Sequence, residues 1–295
     1  MKIIDAHIHF SRSPGFYQTA LNAGHENSVE HLTAEFKKLG VVMAVAMGSG
    51  GNPETEGLCE PQFPSLAGDW SWERYTQPEF IAFCAGLHGA RLTEENTAKS
   101  LELFDRAMNT RECVGLKIYT GYDLLYPNDP IFHPFYELAA AHGVPVVFHT
   151  GDNAGSHGKL KYSHPLAIDD VAADFRQVTF VMAHYGNPFI VDATAVAAKN
   201  PNVFIDLSGL AVGNFTPDDF YRDYSGYLEH LRTWMAYLSD YERFMYGTDW
   251  PLVNLTTYLE VIRRLVPEKH HDNVFCNNAL RVFKKLRPLL GEITQ

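Results

Sequence analysis

The sequence predicts an α/β chain folded as one parallel (β/α)8 TIM barrel, and three observations carry that prediction. Eight short apolar runs, beginning near positions 3, 41, 80, 114, 144, 178, 203 and 243, each lead into a helical pattern. The 295 residues suit a barrel of this kind. The competing open sheet would place a GxGxxG fingerprint after its first strand, and none is there. A single domain over 1–295 is expected, with no linker, low-complexity tract or repeat beyond the βα period.

Taken in order, Ile3-Ile4-Asp5-Ala6-His7-Ile8-His9-Phe10 reads as a short buried strand. Side chains two apart on a strand share a side, so His7 and His9 present two imidazoles together. Ser11 to Asn27, rich in Gly, Ser, Asn and Pro, reads as a loop. Ser28 is placed to cap a helix with Val29, Leu32, Phe36 and Leu39 inward and Gly40 to end it. Val41 to Met47 is a continuous apolar run, as in a strand buried on both faces. A long segment with Trp70 and Trp72 separates it from the run Phe80 to Leu87 and a helix marked by Leu101, Phe104 and Met108.

Cys113 to Ile118 is the fourth strand. Asp129-Pro130 is a cap with Pro at the first helical position, and Gly143 closes the helix that follows. Strands at Val144 to His149, Val178 to His184 and Val203 to Leu207 alternate with helices at Pro165 to Phe175, Pro188 to Lys199 and Pro217 to Leu238. The strand Arg243 to Tyr246 leads into helices around Tyr258 to Val266 and Val274 to Leu286.

The net charge of −11 disfavours nucleic acid and anionic membranes, which reward clustered Lys and Arg. No apolar run approaches a membrane span, and Asp5, His7 and His9 interrupt any signal-peptide core. Four cysteines without CxxC spacing read as reduced thiols, so a cytoplasmic location is expected.

A barrel puts its active site at the C-terminal ends of its strands. The first run ends in His7 and His9, the fifth in His149, the sixth in His184 and the eighth in Asp249, while the fourth carries Lys117 and then Tyr119. A hydrophobic core has no use for imidazoles and a carboxylate at these ends, whereas a divalent metal does. This set resembles the amidohydrolase superfamily of metal-dependent barrels. The phrases Gly115-Leu116-Lys117, Val147 to Asp152, Ala183 to Gly186, Tyr246 to Pro251 and Asn278 to Phe283 are similar to the branch that includes aminocarboxymuconate-semialdehyde decarboxylase and related hydrolases.

The resemblance implies metal ligation by His7, His9, His149 and Asp249, with His184 a base or acid beside a metal-activated water. One ion is expected, zinc first, with manganese and iron left open. Lys117 is expected to be an unmodified cation for a substrate carboxylate; carbamylation to bridge two metals, or a purely structural pairing, are the other readings. Tyr119 and His164 are candidate substrate contacts, with Asp152 beside them, although covering the rim and capping a helix account for Tyr119 and His164 equally well. Arg12 and Arg74 are further cations that no motif places.

Asp69 to Tyr75 reads either as a lid or as a homodimer patch, a role the aromatic helix Phe220 to Trp234 also fits. The expected activity is hydrolysis of a small anionic substrate, a carboxylate-bearing amide, ester or lactone. Non-oxidative decarboxylation of an unsaturated or aromatic acid is the alternative enzyme, and metal-dependent ligand binding without turnover the alternative outside enzymes.

Overall fold

The computed structural model describes residues 1–10, 14–48 and 78–293. Eight parallel strands stand in sequence order: β1 (Ile3–Ile8), β2 (Val41–Met47), β3 (Ile81–Leu87), β4 (Cys113–Ile118), β5 (Val146–Phe148), β6 (Phe180–Met182), β7 (Val203–Asp206) and β8 (Phe244–Met245). The ring closes because backbone bonds join β1 to the segment around β8. Ala6 N donates to Tyr246 O at 2.9 Å, Asp249 N to His7 O at 2.8 Å and His9 N to Trp250 O at 2.7 Å. The fold is a TIM barrel.

Burial on both faces explains the continuous apolar runs. Along β2, Met43, Val45 and Met47 point into the barrel, where they join Ile4, Ala6, Ala82, Val114, Val147 and Val181. Ala44 and Ala46 of the same strand pack outward against the helices. Val282, Phe283, Leu286 and Leu289, near and within the last helices, join the interior set. Each such apolar side chain contributes about 1.5–3 kcal/mol by leaving water.

Local signals decide where the helices begin and end. Ser28 accepts the His31 N–H, and Gly40 ends the helix Val29–Leu39 in the left-handed conformation. Asp129 caps the turn at Pro130, and Gly143 closes the helix His133–His142.

Three expectations are corrected. Residues read as loop contain a helix, Pro14–Asn22, of which Ala20 alone is buried, so it has no apolar stripe to show in sequence. The helix expected from Pro217 to Leu238 is two, Pro217–Asp223 and Ser225–Leu238. They divide at Tyr224, where the chain leaves helical geometry just before Ser225 and Gly226, both weak helix formers. The last helical stretch also breaks up, into a π-type turn at Asn273–Asn277, a helix Asn278–Val282 and a helix Leu286–Ile293. Other boundaries differ by a few residues. No helix among the described residues is long and apolar enough to cross a membrane.

Candidate metal centre

The C-terminal ends of β1, β5, β6 and β8 bring His7, His9, His149, His184 and Asp249 to one place. Pairing of β1 with β2 slips between Asp5 and Ile8. Within that segment His7 Nε2 comes 3.4 Å from Asp249 Oδ1, and just beyond it His9 Nε2 comes 3.2 Å from the same oxygen. His184 Nδ1 lies 3.9 Å from Asp249 Oδ2. Its Nε2 is 3.2 Å from His149 Nδ1. The tightest group is His7, His184 and Asp249, whose donor atoms lie within 4.8 Å of one another. His9 and His149 flank it.

The backbone is bent to achieve this. His184 and Asp249 both hold φ near +61°, a left-handed conformation that side chains other than Gly rarely adopt. Asp249 is fixed there by donating its N–H to His7 O, and His184 by donating its N–H to Asp206 Oδ1 at 3.0 Å. Such outliers cost free energy and collect where function needs them. Gly209 leaves the room required: a Cβ there would come within 2.8 Å of His184 Nδ1.

Asp206, at the end of β7, organises the cluster, and sequence reasoning passed over it. Its Oδ2 accepts from His7 Nδ1 at 2.8 Å. Its Oδ1 accepts from the backbone N–H of His184 and of Ser208 and from the Ser208 hydroxyl. Burial alone would raise this carboxyl, but the His7 contact holds it well below the usual carboxylate range. The same rule that found His149 and Asp249, polar residues at strand ends, was signal enough. Asp5, within β1, accepts from His7 N and from Thr248 N and Oγ1. Burial raises its carboxyl to about 7.

The electrostatics suit a cation. Burial, reinforced by the Lys117 charge, pushes His7 down to about 4. Burial also lowers His149 and His184, so at neutral pH these rings carry lone pairs rather than charge. Burial opposes ionisation of Asp249, yet the surrounding imidazoles, His184 first, hold it well below the normal range. Neutral imidazoles with one carboxylate are a donor set for a divalent metal. His7 supplies a direct test of fit. Its Nδ1 is tied to Asp206, while Nε2 is buried without a hydrogen-bond partner and faces Asp249. A buried polar atom left in that state is costly unless something else engages it. The residues fit the group.

The cluster opens into a cavity of about 560 Å³. His9, His149, His184 and Asp249 line it on the metal side, with Phe16, Tyr119, Tyr122, Val212 and Leu252 giving an aromatic and apolar wall. The Tyr122 ring packs 5.1 Å from His149. Tyr119, at the end of β4, lines the cavity. Lys117 is fully buried beneath, its Nζ 4.9 Å from the Tyr119 ring. Asp152 also lines the cavity, and its backbone carbonyl lies 2.8 Å from His149 Nε2.

His164 is not brought to the cluster. It lines a separate hollow with Tyr126, Asn128 and Lys161, and its Nε2 is 3.6 Å from Asp192 Oδ2. The half-buried His164 ring packs against Phe189, 4.3 Å away. Arg12, Arg74, Trp70 and Trp72 lie outside the described residues.

Comparisons with known proteins follow the same lines. A family model described as Amidohydrolase matches residues 4–285. No curated protein matches the sequence. Among solved structures, an uncharacterised TIM-barrel protein from Bordetella bronchiseptica is similar at a TM-score of 0.68 and 19% identity, covering 97% of this chain and 99% of that one. A 5-carboxyvanillate decarboxylase from Sphingomonas paucimobilis is similar at 0.65 and 16%, covering 96% and 99%. A probable 2-pyrone-4,6-dicarboxylic acid hydrolase from Acinetobacter baumannii, with citric acid bound, is similar at 0.59 and 16%, covering 96% and 100%.

Proposed function

The chain belongs to the amidohydrolase family, and from that premise we propose that it is a metal-dependent hydrolase of a small carboxylate-bearing amide, ester or lactone. The observation that carries the proposal is His7 Nε2, buried, unpartnered and 3.4 Å from Asp249 Oδ1. In this reading His7, His9, His149 and Asp249 hold one divalent ion, zinc first. His149 serves through Nδ1, because its Nε2 donates to the Asp152 carbonyl. A divalent ion bound there would lower the pKa of water and polarise a substrate oxygen.

The chain's own groups divide the remaining work. Asp249, ionised at neutral pH, takes the proton that an attacking water must lose. His184, a neutral ring beside it, takes that proton over from Asp249 and passes it to the departing nitrogen or oxygen. The Ser208 hydroxyl proton goes to Asp206, so His184 donates through Nδ1 to Ser208 Oγ at 2.9 Å. It keeps a lone pair on Nε2, 3.2 Å from His149 Nδ1, where it can take up and pass on a proton at the edge of the centre. Lys117, uncarbamylated in this proposal, adds positive charge below the cavity floor and favours an anionic substrate. High-resolution density with a carboxylated, metal-bridging Lys117 would overturn that part.

A second reading has its own support. Phe16, Tyr119 and Tyr122 make a wall suited to a flat ring, and a 5-carboxyvanillate decarboxylase shares the fold. Decarboxylation of an aromatic acid would use the same centre, with His184 protonating carbon in place of water attack. A screen of lactones, N-acyl amino acids and phenolic acids, read by acid release and by CO₂ release, separates the two. Acid release from a lactone or amide is the expected result; CO₂ without hydrolysis of any of them would install the decarboxylase. Binding without turnover would sink both.

A further inference from the structure

One histidine in the cavity is unused by this chemistry. His88 directly follows β3, and in an eight-stranded ring β3 stands opposite β7, across the barrel from the metal centre. Its Nδ1 lies 2.7 Å from Asp123 Oδ1. Asp123 Oδ2 accepts the Gly89 N–H at 2.7 Å, and the Asp123 side chain is 2% exposed. Both carboxylate oxygens are therefore committed inside the protein.

A carboxylate has no proton to give, so Nδ1 is the donor, and the neutral tautomer with that bond carries its lone pair on Nε2. The His88 side chain is 23% exposed and lines the cavity. With Nδ1 turned to Asp123, Nε2 is the nitrogen left for a ligand. Among the described residues it has no hydrogen-bond partner.

We propose that His88 is a substrate-binding residue whose Nε2 accepts a hydrogen bond from a substrate hydroxyl, with Asp123 as the positioning residue that holds its tautomer. The inference rests on the functional reading above, in which the positive charge of the metal centre and of Lys117 draws the acid group of the ligand to that side of the cavity. The hydroxyl then lies on the β3 side of a cavity whose wall also carries Tyr119 and Tyr122. A lone pair at Nε2 welcomes an O–H and repels a second carboxylate, so the pair also selects between hydroxy acids and diacids.

Calorimetric titration of the zinc-loaded protein with benzoate and its three monohydroxy isomers tests this. At least one hydroxy isomer should bind the wild type about tenfold more tightly than benzoate, the scale of one hydrogen bond. In His88→Phe that advantage should fall below twofold while benzoate affinity stays unchanged; a merely structural role would weaken all four probes together. Asp123→Asn should also erase the preference, since the amide can donate to Nδ1 and move the ring proton to Nε2. Circular dichroism checks that the variants fold.

Equal or absent binding of the four probes to the wild type overturns the proposal, as does a hydroxyl preference that survives His88→Phe. Metal content of the same samples keeps the two failures apart. A zinc-bearing protein without the preference defeats this inference alone. A protein that takes up no zinc defeats the functional reading and this inference with it.

Discussion

Asp206→Asn exposes how the centre is held together. In the native chain Asp206 Oδ2 takes the His7 Nδ1 proton at 2.8 Å, while Oδ1 takes two backbone N–H groups at 3.0 and 3.1 Å. Asparagine has the same shape but one acceptor oxygen. Turned to the two N–H groups, that oxygen preserves the backbone, and the amide NH₂ then faces His7. His7 must answer with Nδ1 as an acceptor, which puts its proton on Nε2, the atom beside Asp249. A protonated nitrogen cannot ligate a metal. Loss of such a supporting partner costs roughly 10–100-fold in metal affinity, or about 1.4–2.7 kcal/mol. Competition titration of zinc against a fluorescent chelator measures this directly. The expected result is a Kd weakened by that factor with an unchanged circular dichroism spectrum. Zinc affinity within twofold of wild type in a folded Asp206→Asn protein would refute the reasoning.

Other perturbations have equally definite outcomes. Asp249→Asn should abolish turnover, because it removes both a ligand and the proton acceptor; steady-state assays with near wild-type rates would move the chemistry elsewhere. His184→Asn should lower the rate by about 10²–10⁴ with metal content retained, and an emptied site would make His184 a ligand instead. His25 is buried, its Nε2 accepting the Leu255 N–H at 3.0 Å, and burial with the neighbouring His31 lowers it to about 4 from 6.5. Between those values the unfolded chain binds a proton that the folded chain resists, so this contribution is complete above pH 6.5 and is lost as pH falls toward 4. Urea midpoints of His25→Gln should therefore decline less steeply over that window than those of the wild type; parallel slopes would exclude His25 as a source.

Much of this barrel is legible in sequence because its strands are buried on both faces. Val41 to Met47 has no polar residue to obscure it, and caps such as Ser28, Asp129 and Gly143 act within three or four residues of themselves. The strand-end residues His7, His9, His149, His184 and Asp249 were legible by the same logic, since polar groups stand out against apolar runs. What escaped detection depends on distance along the chain. Asp206 meets His7 across 199 positions, and His88 meets Asp123 across 35. The left-handed backbone at His184 and Asp249 leaves no mark in residue type. The helix Pro14–Asn22 lacks an apolar face, so composition alone argued for a loop.

The account stands or falls on the metal. Purified protein incubated with zinc, manganese(II) or iron(II), desalted and submitted to elemental analysis should retain about one divalent ion per chain, as a single three-imidazole, one-carboxylate site requires. The paired change His7→Ala and His9→Ala should lose it while the protein remains folded. A chain that stays metal-free after all three incubations would contradict the account, and so would full retention of metal in the double variant.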